Sequence, residues 1–113
     1  MTDQMPQDAC EPAASVSLMP EGDASTLAAT LKALADPARV RVLVYLAATP
    51  GGTVCSCHLP EQLGISQPTL SHHLKKLTDA GLVIRQKQGR WAHYAVDPAA
   101  LKPLEAYLHA VGV

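Results

Sequence analysis

With 113 residues, 48% of them hydrophobic, the chain has room for one domain with a modest core, and is short enough that pairing with a second copy would help. No apolar run approaches membrane-spanning length and the N-terminus lacks the basic and apolar regions of a signal peptide, so no membrane partner is expected and the expected location is the cytoplasm. The net charge of −1 argues against a nucleic-acid binder only until the chain is divided.

Residues 1–23 contain Asp3, Asp8, Glu11, Glu21 and Asp23 without a Lys or Arg, a net −5, together with Pro6, Pro12 and Pro20 and no hydrophobic periodicity. They read as a flexible acidic arm. Residues 24–96 carry Lys32, Arg39, Arg41, Lys75, Lys76, Arg85, Lys87 and Arg90 against Asp36, Glu61 and Asp79, a net +5, and residues 97–113 add −1. The domain expected over 24–113 is therefore mostly basic, and the acidic arm hides this in the total.

Helical periodicity begins at Ala24, with Asp23 or Ser25 as the expected cap and Leu27, Leu31, Leu34 and Ala35 as the apolar face. Asp36-Pro37 closes this helix and starts a second, in which Val40, Leu43, Val44 and Leu46-Ala47 are expected to face inward, before Thr49-Pro50-Gly51-Gly52 ends it. Leu59 and Leu63 mark a short third helix. Gly64-Ile65-Ser66 then forms a turn ending in a good N-cap, and Pro68 sits in the first turn of a fourth helix, where its missing N–H does no harm.

In that fourth helix Leu70, Leu74 and Leu77 fall at i, i+4 and i+7, one buried stripe, leaving Gln67, Thr69, Ser71, His72, His73, Lys75 and Lys76 for the other faces. Helix, glycine-containing turn, helix is the arrangement that places a second helix in the major groove of double-stranded DNA. Its polar face suits that role: Lys and His for phosphates, and Gln, Ser and Thr for base edges. Ala80-Gly81 stops the helix. Leu82–Lys87 and Trp91–Val96 are β-prone runs joined by Gln88-Gly89-Arg90, a hairpin with a basic tip. Asp97-Pro98 opens a last helix with Leu101, Leu104, Tyr107, Leu108 and Val111 on one side. The fold expected is mainly α with a small β-hairpin, a winged helix-turn-helix.

The residues Leu31-Lys32-Ala33-Leu34-Ala35-Asp36-Pro37-Ala38-Arg39, Val54-Cys55-Ser56-Cys57-His58-Leu59, Ser66 to Leu77 and the hairpin with Gly89-Arg90 together resemble the ArsR/SmtB family of metal- and metalloid-responsive repressors, over roughly Leu27 to Leu108. The resemblance implies a homodimer, paired through the first and last helices, that leaves its operator when it binds an ion. A twofold dimer sets its reader helices about 34 Å apart, one duplex turn, and suits a near-palindromic site. The DNA contacts expected are Gln67, Thr69, Ser71, His72 and Lys76 in the major groove, Ser66 and Lys75 towards phosphates, and Lys87 and Arg90 on the wing.

Three cysteines in a cytoplasmic chain argue against a disulfide framework. Cys55 and Cys57 occupy the family's sensor position. In a regular helix they would point about 200° apart, so one ion can hold both only where the chain is extended or frayed. The third thiol common in the family's arsenic sensors would fall at Pro60, a departure. Trivalent arsenic or antimony seeks three thiolates and cadmium or lead three or four, and Cys10 is the remaining thiol, so Cys10, Cys55 and Cys57 form the expected ligand set. Arsenite or antimonite is the expected inducer, with cadmium or lead as the variant and no organic cofactor. A thiol redox switch, with Cys10 pairing to Cys55 or Cys57, is the alternative within the fold. His58 is expected to face solvent, and Trp91 and Tyr94 to pack the wing. The last helix, with Asp97, Glu105 and His109, lacks the paired ligands of a zinc site, and the Cys-x-Cys spacing does not make the activated nucleophile of a thiol enzyme.

Overall fold

A computed structural model describes residues 16–49 and 54–113. Among the described residues five helices and three strands follow one another as α1 (Glu21–Leu34), α2 (Pro37–Ala48), β1 (Val54–Cys55), α3 (Leu59–Leu63), α4 (Gln67–Asp79), β2 (Val83–Gln88), β3 (Trp91–Val96) and, after a 3-10 turn over Pro98–Leu101, α5 (Lys102–Ala110). The architecture is mainly helical with a small antiparallel sheet, as the periodicities imply.

Helix α1 begins at Glu21, with Pro20 at the cap position and no side-chain cap, rather than at Ala24 behind Asp23 or Ser25. Glu21 and Asp23 instead lie in its first turn, where carboxylates are favoured by the helix dipole. Asp36 caps α2 by accepting from the backbone N–H groups of Ala38 (2.8 Å) and Arg39 (3.3 Å), with Pro37 beside it in the first turn. Ser66 caps α4 by accepting from the N–H of Thr69 at 3.2 Å. Gly64 takes a left-handed conformation, φ 70°, which lets α3 end and the chain turn into α4 without a side-chain clash.

The stripe Leu70, Leu74 and Leu77 is fully buried. It meets Val42 and Leu46 from α2, Leu59 at the start of α3, Leu82 and Val83 entering the hairpin, and Tyr94 from β3. The inward face of α2 differs from the expected one: Val42 is 0% exposed, whereas Val44 is 64% exposed and Val40 also faces out. Those two valines, with Tyr45, line an open apolar groove that Leu59 and Leu63 close on the other side. In α1, Leu27 is buried but Leu31 is exposed.

The hairpin is regular, with six pairs from Val83↔Val96 to Gln88↔Trp91 around a turn in which Gly89 has φ 65°. Its outer neighbour is the feature the sequence pattern did not announce. β1 pairs with β3 through Val54↔Tyr94 and Cys55↔His93, giving the strand order β1-β3-β2. Tyr94 packs into the core, but Trp91 is 47% exposed at the wing tip and packs little of it.

One polar cluster ties the helices together beneath α4. Arg39 donates through Nε to the carbonyl of Ala33 at 2.6 Å, and its terminal nitrogen lies 3.2 Å from Nδ1 of the buried His73. Since Arg39 can only donate, Nδ1 accepts, and Nε2 lies 4.0 Å from the Asp36 carboxylate. Partial desolvation works to raise the pKa of Asp36, but the N–H groups of Arg39 and Ala38 and the nearby His73 and Arg39 outweigh it and leave the group below its ordinary value.

Two outcomes follow from this packing. Leu74→Ala is expected to lower unfolding stability by about 2–5 kcal/mol in urea titrations, since it opens a hole where four elements meet. Because the folded-state value of Asp36 is depressed, its carboxylate stabilises the fold above the unfolded value of about 3.9 and loses that effect as pH falls through the folded value. Asp36→Asn keeps an acceptor but not the charge. It is expected to melt below the native protein at neutral pH, with the gap closing as pH falls below about 4.

Candidate functional site

The two halves of the site adjoin along the chain. Cys55 ends β1, Ser56 turns inward and is buried, and Cys57 lies in the turn one residue before His58, the cap position of α3. The Ser56 N–H donates to the carbonyl of Ala92 on β3 at 3.2 Å, which carries the strand pairing one step past Cys55. This anchor holds the chain out of helical geometry. The Cα atoms of Cys55 and Cys57 stand 5.3 Å apart, their sulfurs are joined as a disulfide, and the Cys57 N–H points at the Cys55 sulfur at 3.2 Å. The pair is thus presented on one side of the chain.

Among the described residues the pairing is Cys55 with Cys57. Cys10 lies outside the described residues, as does the arm from residue 1 to 15. His58 is exposed. Among the described residues no three Cys, His, Asp or Glu side chains stand together as a ready metal cage.

On the reader side, α4 presents Gln67, Thr69, Ser71, His72, Lys75 and Lys76 to solvent, while His73 turns inward to Arg39. Ser66 is exposed too, but its hydroxyl is occupied with Thr69, donating to Thr69 Oγ1 at 2.9 Å. Lys75 forms an exposed ion pair with Asp79 at 3.0 Å, of the i, i+4 kind that contributes little to stability. Lys76 has no such pair among the described residues and faces outward one residue before Leu77. Lys87 and Arg90 are exposed along the hairpin. Arg85, left out of the expected contact set, is exposed as well, and its Nε donates to the Tyr94 hydroxyl at 3.3 Å. Its alternation with Lys87 on one strand was the signal available for it.

The arrangement supplies a helix with an outward polar face and exposed cations, a basic strand pair beside it, and a thiol pair two residues upstream of the helix that supports the reader. No helix among the described residues is long and apolar enough to cross a membrane.

Comparison with known proteins agrees with this geometry. Residues 36–85 match the model for bacterial regulatory proteins of the arsR family. The chain is 35% identical over 80 residues to an arsenic resistance transcriptional regulator of Pseudomonas putida, a match covering 71% of this chain but spanning only 61% of that protein's length, under two thirds. It is 38% identical over 85 residues to an arsenical resistance operon repressor of Staphylococcus aureus, covering 75% of this chain and 79% of the relative. A cadmium resistance regulatory protein homologue from Staphylococcus aureus is 33% identical over 85 residues, with 74% and 69% covered. Among solved structures, an ArsR-like transcriptional regulator from a Rhodococcus species superposes with a TM-score of 0.68 at 28% identity, over 80% of this chain and 83% of that one. These relatives are transcriptional regulators, not enzymes, and the solved Rhodococcus regulator shares the fold described above. The protein belongs to the ArsR family of bacterial regulatory proteins.

Proposed function

We propose that the protein is a homodimeric transcriptional repressor that leaves its operator when trivalent arsenic or antimony binds the thiolates of Cys55 and Cys57, with Cys10 of the arm as third ligand. One observation carries this reading: the strand-turn geometry that sets Cys55 and Cys57 side by side immediately before α3. The names of the arsenical relatives support the ion class, and that of the cadmium relative supports cadmium or lead as the variant.

The mechanism follows from how short the connection is. An ion bridging both thiolates fixes the backbone from Cys55 to Cys57. Leu59, two residues on, is buried against the α4 stripe, so a change in the turn is felt as a change in how α3 supports α4. A difference of about 5.5 kcal/mol in ion affinity between the DNA-bound and released conformations turns a 1:99 population into 99:1.

The arm over 1–23 and the domain over 24–113 divide the work, one bringing Cys10 and the other reading DNA. Gln67, Thr69, Ser71, His72 and Lys76 meet the major groove, Ser66 and Lys75 the phosphates, and Lys87 and Arg90 the flanking backbone. Dimerisation through α1 and α5 is supported by the apolar surface they leave uncovered, including Leu31, Leu108 and Val111, the last 58% exposed.

A second reading has its own observation, the bond between Cys55 and Cys57. Oxidation by peroxide would pass two electrons and two protons from the thiol pair to the oxidant, leaving the disulfide and water. Its mark is operator release by peroxide and recovery with dithiothreitol, without any ion.

Mobility shifts on a duplex selected from random DNA separate these. The reduced native protein is expected to release DNA on adding arsenite, while Cys55→Ser and Cys57→Ser bind the duplex and keep it; release from the variants at the native arsenite concentration would reject the thiolate site. Lys76→Ala is expected to weaken binding to all sequences and lower the slope of log affinity against log salt by about one unit. An unchanged slope would take Lys76 off the phosphate backbone.

A further inference from the structure

The wing strand brings one more ligating group to the thiol pair. In the β1–β3 pairing Cys55 stands directly opposite His93. Residues opposite one another in an antiparallel pair project from the same face with Cβ atoms about 4.5–5.5 Å apart, so the side chains of His93 and Cys55 start side by side on one face of the sheet. The alternation of the strand puts Tyr94, with Val54, on the opposite, core-facing side. Nδ1 of His93 is buried and, among the described residues, has no hydrogen-bond partner. A buried imidazole nitrogen without a partner costs free energy that nothing on this face returns.

We infer that Cys55, Cys57 and His93 form a site of two sulfurs and one nitrogen for a thiophilic divalent cation, cadmium or zinc, with a fourth position left to solvent. The inference rests on the reading that Cys55 and Cys57 act as thiolate ligands, and it adds the third donor from within the folded domain. Two thiolates with one imidazole suit these cations, which accept mixed sulfur and nitrogen donors, whereas trivalent arsenic favours sulfur alone. Among the described residues the three donors do not stand as a ready cage, and the two sulfurs are bonded to each other. Dithiothreitol gives two electrons and two protons to that bond, itself becoming a cyclic disulfide. Cation binding then releases the two thiol protons, and a rotation of the His93 side chain completes the set. Because β3 is the central strand of the sheet, the cation would fasten the thiol turn to the wing as well as to α3.

The test uses the full-length reduced protein and follows thiolate-to-metal charge transfer in the ultraviolet, with Cd²⁺, Zn²⁺ and arsenite titrated separately into the native protein, His93→Gln and Cys55→Ser. His93→Gln is expected to weaken Cd²⁺ and Zn²⁺ binding on the order of tenfold or more and to leave arsenite binding unchanged. On the native protein, nitrogen-15 NMR of the His93 ring is expected to shift on adding Cd²⁺, a readout that does not depend on any variant folding. Native Cd²⁺ affinity in a folded His93→Gln, or a His93 ring signal unmoved at saturation, overturns the site while leaving the thiolate reading intact. Native affinity for every ion in Cys55→Ser overturns the thiolate reading itself.

Discussion

Burial of Leu70, Leu74 and Leu77 fixes what the rest of the molecule can do. That one stripe touches α2, the start of α3 and both ends of the hairpin, so α4 cannot rotate about its axis without exposing leucines that are fully buried. With the stripe and His73 inward, Gln67, Thr69, Ser71, His72 and Lys76 are displayed as a set on the solvent side. The same burial makes the reader sensitive to its neighbours. Leu59, two residues after Cys57, and Leu82, at the entry to the wing, both pack in one cluster with the stripe, and close-packed interiors yield little.

A second constraint is small and local. The strand β1 is two residues long, yet its pairing to β3 and the following Ser56 to Ala92 hydrogen bond decide the conformation of the thiol segment. Had the segment joined α3 as its first turn, two cysteines two residues apart would have diverged around the helix. Held at the sheet edge, they converge. An extended strand end beside a five-residue helix is also a weak place in cooperative terms, with few buried contacts of its own, which is where a conformational response to a ligand can be had at modest cost.

The polar cluster of Asp36, Arg39 and His73 has a different character. It caps α2, closes off the end of α1 through Ala33, and satisfies a buried imidazole on α4. It contributes orientation more than energy, since Arg39 presents a fixed fork of donors and His73 can accept only at the nitrogen that faces it. Three helices are thereby registered against one another at a point where apolar packing alone would allow sliding.

Residue order by itself determined the element types and most of their limits. Period-3.6 leucines, Asp36 and Ser66 as caps, Gly64 and Gly81 as stops, and β-prone runs around Gly89 are local signals, read within one turn of helix or one hairpin, and the outward set on α4 followed from them. The resemblance carried by these motifs led to the same family as the comparisons. What only the tertiary structure decided depends on contacts between segments far apart in sequence. Val42 rather than Val44 turned inward because the position of α4 selects the face of α2, and an almost wholly apolar helix such as Pro37–Ala48 gives no preference of its own. His73 turned inward rather than outward because Arg39, 34 residues earlier, gave it a partner. β1, at two residues, is too short for any alternation to show. The neighbourhood of Cys55 and His93 exists only through its register with β3, because a cross-strand pair 38 positions apart has no trace in local spacing.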